Sequence, residues 1–351
     1  MFTKKRYTIK QMVTWTRQET YIFLLIAFVE VALFVFLDLQ WLQIPFTPIA
    51  LIGTAVAFVI GFQNNASYGR IWEARQIWGG IVNTSRTFGI AVQDIISKNE
   101  TDTNDENLKA IKKSLIYRHI AWLTALRYAM RDDRPWEYVM QQKTNVEWSK
   151  MIHVPEVMTK LEDELDMYLS EEDKKYVLAK TNRQNAILFL QSKELKKLRD
   201  EKLLTEFSFL KMESILEELF NHQGKSERIK NFPYPRQFAT LMYYFTWIFI
   251  FLLPLGITSQ FGDIALKIQD QHEFLRTHFI WFAVPFSVVV MWIFHTMNRI
   301  GSVGENPFEK SANDVPISTI ARGIEIDLRE NLGENKNDIP GQFPVNNNVQ
   351  M

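Results

Sequence analysis

The chain contains no cysteine. Disulfides, thiolate metal sites and cysteine nucleophiles are therefore excluded, and the redox compartment is left undetermined. There is no excess of charge either: 40 basic and 40 acidic residues give a formal net charge of zero, so nothing in the bulk charge points to nucleic acid as a partner. Glycine is scarce, at 14 of 351 residues, and forms neither a phosphate-cradling GxxxxGKS/T nor a GxGxxG after a strand pattern. GSVG at 301–304 resembles half of a glycine-rich loop but follows no strand. HExxH and GxSxG are absent, and the six histidines, at 119, 153, 222, 272, 278 and 295, have no ligand spacing. The acidic stretch near 156–173 lacks the glycine of a calcium loop and reads as a solvated surface. No enzyme, metal or cofactor is expected.

What the chain does have is long apolar runs. Residues 21–39, 44–62, 238–257 and 279–297 each approach the 20 or so helical residues needed to cross a hydrocarbon core of about 30 Å. Charge is dense between roughly Lys98 and Lys230. That combination predicts an all-α polytopic membrane protein with four transmembrane helices. The expected segments are a cytosolic N-terminal segment (1–20), two spans (21–62), a cytosolic helical domain (63–237), two further spans with an external loop (238–298), a cytosolic C-terminal segment (299–334) and a disordered tail (335–351). KNETDTNDEN, 98–107, reads as a polar loop inside the helical domain. No cleaved signal peptide is read in the first residues, where no apolar core precedes Tyr21. Lys4, Lys5, Arg6, Lys10 and Arg17 precede the first span and no charge occupies 40–48. By the positive-inside rule, both termini and the 63–237 region face the cytoplasm, as expected of a multi-pass protein of the cell inner (plasma) membrane.

Two features inside the spans stand out. Glu30 sits in the middle of the first, where a lipid-facing carboxylate costs about 2.5–3.5 kcal/mol; it is either an ion-pathway or proton-linked group or a hydrogen-bonded packing residue. Thr54, Phe58 and Phe62 recur at intervals of four and share one helical stripe about 80° wide. Periodicity alone leaves that stripe as either a packing face or a pore wall.

The run that follows, GFQNNASYGRIWEARQIWG at 61–79, resembles the GFRxNxxYxRWWExRxxWG signature of the bestrophin family. Three more stretches agree in order: HIAWLTALRYAMR at 119–131, SERIKNFPYPRQ at 226–237 and IGSVGENPFEKSANDVP at 300–316. The resemblance implies a homopentameric ion channel in a lipid membrane, passing small inorganic ions along a single axial pore. It also implies a hydrophobic neck at Thr54, Phe58 and Phe62, pore positions Gln63, Asn64 and Asn65 just below it, and a cytosolic constriction near Phe207. Chloride and other small anions are the expected cargo. A monovalent cation channel of the same architecture, a scaffold binding a cytosolic partner, and a proton-coupled carrier using Glu30 are the alternatives.

Departures from the family pattern are informative. Gln63 replaces the arginine usual after GF, removing one positive charge per subunit below the neck, and Thr54 is polar where the family is aliphatic. In animal members an acidic run after NPF helps bind activating calcium. Here that run is Glu309, Lys310, Ser311, Ala312, Asn313 and Asp314, so animal-type calcium activation is not expected.

Overall fold

The computed structural model describes residues 1–97, 104–137, 141–268 and 272–351. The first six residues of the expected 98–107 loop lie outside them. The chain begins with α1 (Ile9–Leu37), whose start is set by a capping box in which the Thr8 hydroxyl accepts from the Gln11 amide while the Gln11 side chain accepts from the Thr8 amide. It then forms α2 (Phe46–Ile95), entered at Pro45, where the missing N–H costs nothing. The polar region comprises α3 (Asp105–Arg131), four short helices α4 (Lys143–Ser149), α5 (Pro155–Met158), α6 (Leu161–Leu165) and α7 (Glu171–Leu178), then α8 (Arg183–Asp200) and α9 (Glu206–Asn231). Last come α10 (Arg236–Leu266), the short α11 (Glu273–His278), α12 (Ala283–Gly304) and α13 (Ile317–Asn331). Among the described residues there are no strands, only isolated bridges.

Four helical stretches are long and apolar enough to cross a membrane: α1, α2, α10 and the α11–α12 stretch. Their boundaries exceed the apolar runs. Helix α1 starts twelve residues before Tyr21, and α10 continues through Pro254 to Leu266 because neighbouring helices tolerate the freed carbonyl. Their outer faces expose Leu24, Leu25, Phe28, Ile248, Phe251 and Val289, an apolar surface suited to lipid rather than water.

One core lies in this apolar layer, where Phe23 and Ala27 of α1, Ile49, Val56 and Ile60 of α2, Phe249 and Leu253 of α10, and Met291 of α12 meet. A second core fills the polar region around Trp78, Phe88, Trp122, Met212 and Leu328. Helix α2 contributes to both. It has 50 residues and runs from the first core to the second without a break. It packs against α10 and α12 in the apolar layer and against α9 and α13 beyond it, whereas α1 lies across α10 and α12. Close approach of α2 to α10 depends on Gly53, where an added Cβ would stand 2.6 Å from a ring carbon of the buried Phe249.

In the segment expected to be a disordered tail, 335–351, most residues are exposed and the last few lie against the fold. Val349 and Met351 are buried with Ile152 and Val154. The Gln350 amide donates to the Met1 carbonyl (2.9 Å), Thr3 N–H donates to Asn348 (2.8 Å), and Thr319 N–H donates to the Met351 carbonyl (2.6 Å).

Candidate functional site

The face of α2 that no other described element of the chain covers carries Thr54, Phe58 and Phe62. Phe58 and Phe62 are 65% and 59% exposed, whereas Val56, Ile60 and Gln63 on the other side of the same helix are buried. The two rings lie edge to face, 4.6 Å between centroids and 86° between planes. Thr54 is exposed beside them, and its hydroxyl donates to the Ala50 carbonyl (2.9 Å), so its methyl is left to define the outer surface. Asn65 continues this open face one turn further on, and Asn64 is half-buried with both amide atoms enclosed and unpartnered among the described residues.

Gln63 does not share that face. Only 2% of it is exposed, because the residue after Phe62 turns a further 100° around the helix and meets α12. Its Nε2 donates to Glu305 Oε1 (3.1 Å), and its Oε1 accepts from Asn298 Nδ2 (3.3 Å). Glu305 is held in turn by Arg236 (2.7 Å), and its backbone carbonyl accepts from Arg70 Nε (2.7 Å). Burial pushes the Glu305 carboxyl up, and the neighbouring Arg236 and the Gln63 hydrogen bond pull it back. An arginine at position 63 would meet this carboxylate inside the protomer. The charge missing at Gln63 is therefore not a charge missing from the open face. Within the chain Gln63 thus lies off the open face, as the 100° step from Phe62 places it.

The other expected positions are dispersed. Phe207 lies in the first turn of α9 and is 86% exposed, 22 residues before Ile229, whose carbonyl accepts from Arg70 (3.0 Å). At 1.5 Å per residue this places it about 33 Å along α9 from the level of Arg70. Glu30 is on α1, across α10 and α12 from α2, and its enclosed Oε2 accepts no hydrogen bond from the described residues. The structure does not bring it to the Thr54–Phe62 face.

The segment after the NPF run is fastened by a cation of the protein itself. Arg131 donates to Asp314 Oδ2 (2.7 Å), which also accepts from the Lys310 amide (2.6 Å). Both side chains of this ion pair are 1% exposed. Among the described residues no group of three His, Asp or Glu side chains is arranged to hold a metal ion.

Comparison with known proteins agrees with this architecture. The voltage-dependent anion channel-forming protein YneE of Salmonella typhi is 27% identical over 314 residues, covering 88% of this chain and 84% of that protein. The voltage-dependent anion channel-forming protein RSc3414 of Ralstonia nicotianae is 26% identical, over 82% of this chain and 78% of its own length. A crystal structure of a bacterial bestrophin homologue from Klebsiella pneumoniae superposes with a TM-score of 0.72 at 21% identity, over 91% of this chain and 99% of that one. The family model for bacterial/fungal bestrophin protein matches residues 8–269 and 273–330, and with nearly the whole chain so covered, this protein belongs to the bestrophin family.

Proposed function

We propose that the protein is a bestrophin-type ion channel that conducts chloride and other small anions passively through a homopentamer. The observation that carries this reading is the open Thr54, Phe58 and Phe62 face, which the exposed Leu51 extends, on a helix whose opposite side is buried at Gly53, Val56, Ile60 and Gln63. Five copies arranged about an axis would bring these residues together as a hydrophobic neck. The apolar layer then lies in the inner membrane, with both termini and the α3–α9 region cytoplasmic, and Phe207 forms a second constriction at the far end of α9.

The neck offers neither carbonyls nor charges, so ions cross it partly hydrated and along ring edges, and it can close by dewetting. Aromatic rings have positive edges and negative faces. Phe58 and Phe62 point outward in directions about 40° apart, whereas their planes stand at 86°. Both rings therefore cannot turn a face to the axis, and at least one presents an edge. That favours anions, in line with the names of the Salmonella and Ralstonia relatives. The Arg131–Asp314 pair supports a channel without animal-type calcium activation, because a buried guanidinium already neutralises Asp314, one of the two acids of that segment.

The test is a planar bilayer holding purified protein under a salt gradient. A reversal potential of the sign set by chloride is expected. A cation-signed potential would overturn the selectivity, and no current at all would favour the scaffold reading.

A further inference from the structure

The open face of α2 does not stop at the neck. Taking 100° per residue, Asn65, Gly69, Gln76, Asn83 and Thr87 all fall inside the arc bounded by Thr54 and Phe62, and all are exposed. Trp72, stacked on Tyr68 at 6.5 Å, marks one edge of the arc. No charged residue enters it until Asp94, 29 residues and about 43 Å beyond Asn65.

This is not for want of charge on the helix. Arg70 is turned into the protomer and donates to the carbonyls of Ile229 and Phe232 (both 3.0 Å) and Glu305 (2.7 Å). Glu73 pairs with Arg228, and Arg86 with Asp327 at 2.6 Å. Arg75, exposed and 4.0 Å from Met1 Sδ, lies about 60° outside the arc. Charge thus stands off the arc while primary amides stand on it, and the amides of Asn65, Gln76 and Asn83 form no side-chain hydrogen bond with the described residues. Each carries a carbonyl acceptor and two N–H donors, so it can replace a water molecule around an ion of either sign.

Resting on the channel reading above, we infer that Asn65, Gln76 and Asn83 are ion-contacting positions that line the passage below the neck with uncharged amide rings, about 16 and 10 Å apart along the axis. They hydrate the ion without selecting its sign, and discrimination by charge is left to Phe58 and Phe62. Any fixed charge placed at these three positions then imposes a selectivity that the native wall lacks.

The absence of cysteine makes this directly testable. Asn65→Cys, Gln76→Cys and Asn83→Cys, with Phe58→Cys and the exposed α3 position Ala110→Cys for reference, are treated with positively and negatively charged methanethiosulfonates in bilayers. Mass spectrometry of the folded protein confirms each adduct. At the three amide positions the cationic adduct should raise anion current at least twofold in about 10 mM salt and the anionic adduct should lower it. Both effects should shrink in about 1 M salt, where the Debye length falls from about 30 to about 3 Å. Ala110→Cys should modify without effect. Thiols that resist modification, or adducts that leave the current unchanged while Phe58→Cys responds, overturn the inference alone. If Phe58→Cys is silent as well, the channel reading falls with it.

Discussion

Replacing Gln63 by arginine restores the residue usual in the family and separates two accounts of that position. If the side chain faced the axis, one positive charge per subunit would be added to the passage, and at about 10 mM salt, where the Debye length is about 30 Å, the reversal potential would move strongly toward the anion value. The structure instead directs position 63 at Glu305, already in contact at 3.1 Å, and leaves it 2% exposed. Two effects of similar size then compete. Extra volume against α12, where Gly301 sits 3.3 Å from the Gln63 side chain by its would-be Cβ, costs about 1–3 kcal/mol. A charge-assisted hydrogen bond to Glu305 returns about 1.5–3 kcal/mol. The net change is near zero, so the melting temperature in detergent should shift by only a few degrees. The assay is the reversal potential of Gln63→Arg beside the native protein, in low and in high salt. Coincident values are expected at both. A salt-dependent shift toward anions would show the guanidinium in the passage and refute the placement drawn here.

Three further outcomes follow from the same geometry. Phe58→Ala should raise single-channel conductance or leak while lowering stability by no more than the 0.5–1.5 kcal/mol or so of one aromatic pair, since Phe58 is largely exposed; Phe249→Ala, in the buried core, should cost about 3–5 kcal/mol in the same thermal melts. Gly53→Ala should destabilise by about 1–3 kcal/mol through its contact with Phe249, and Phe249→Leu in the same chain should recover part of the loss. His119, stacked on Phe88, tilted against Trp122 and wholly enclosed, is pushed by burial from 6.5 down to about 3. It is neutral in the fold, and the unfolded chain takes its proton first. Its contribution is fully present above pH 6.5 and is lost as pH falls from there toward 3, by about 1.4 kcal/mol per unit; His119→Gln should flatten that part of a melting-temperature profile.

The sequence exposed the spans and the Thr54, Phe58, Phe62 stripe because both depend on runs and periods that one helix contains. Their meaning was less accessible. A stripe of apolar residues spaced by four serves equally for packing, and only the neighbours of α2 reveal that Phe58 and Phe62 are left uncovered while Val56 and Ile60 are not. Gln63 adjoins Phe62 in sequence but not on the surface of the helix, where it turns toward α12. The Arg131–Asp314 pair joins residues 183 apart, and the docking of Val349 and Met351 beside Ile152 spans a similar distance in the chain. Neither leaves a local pattern. The amide arc could have been counted from residue numbers, but it acquires sense only once Arg70, Glu73 and Arg86 are seen to be committed elsewhere.

Because α2 is one unbroken helix of 50 residues, about 75 Å long, Phe58 and Asn83 are geared to each other like marks on a single shaft. Torque applied at the lower end by α9 or α13 reaches the rings without a joint to absorb it. With side chains extending about 5–6 Å from the helix axis, a rotation of about 20° sweeps a phenyl edge through about 2 Å. Movements in the polar region that would be trivial on a loop therefore arrive at the phenylalanines at full amplitude.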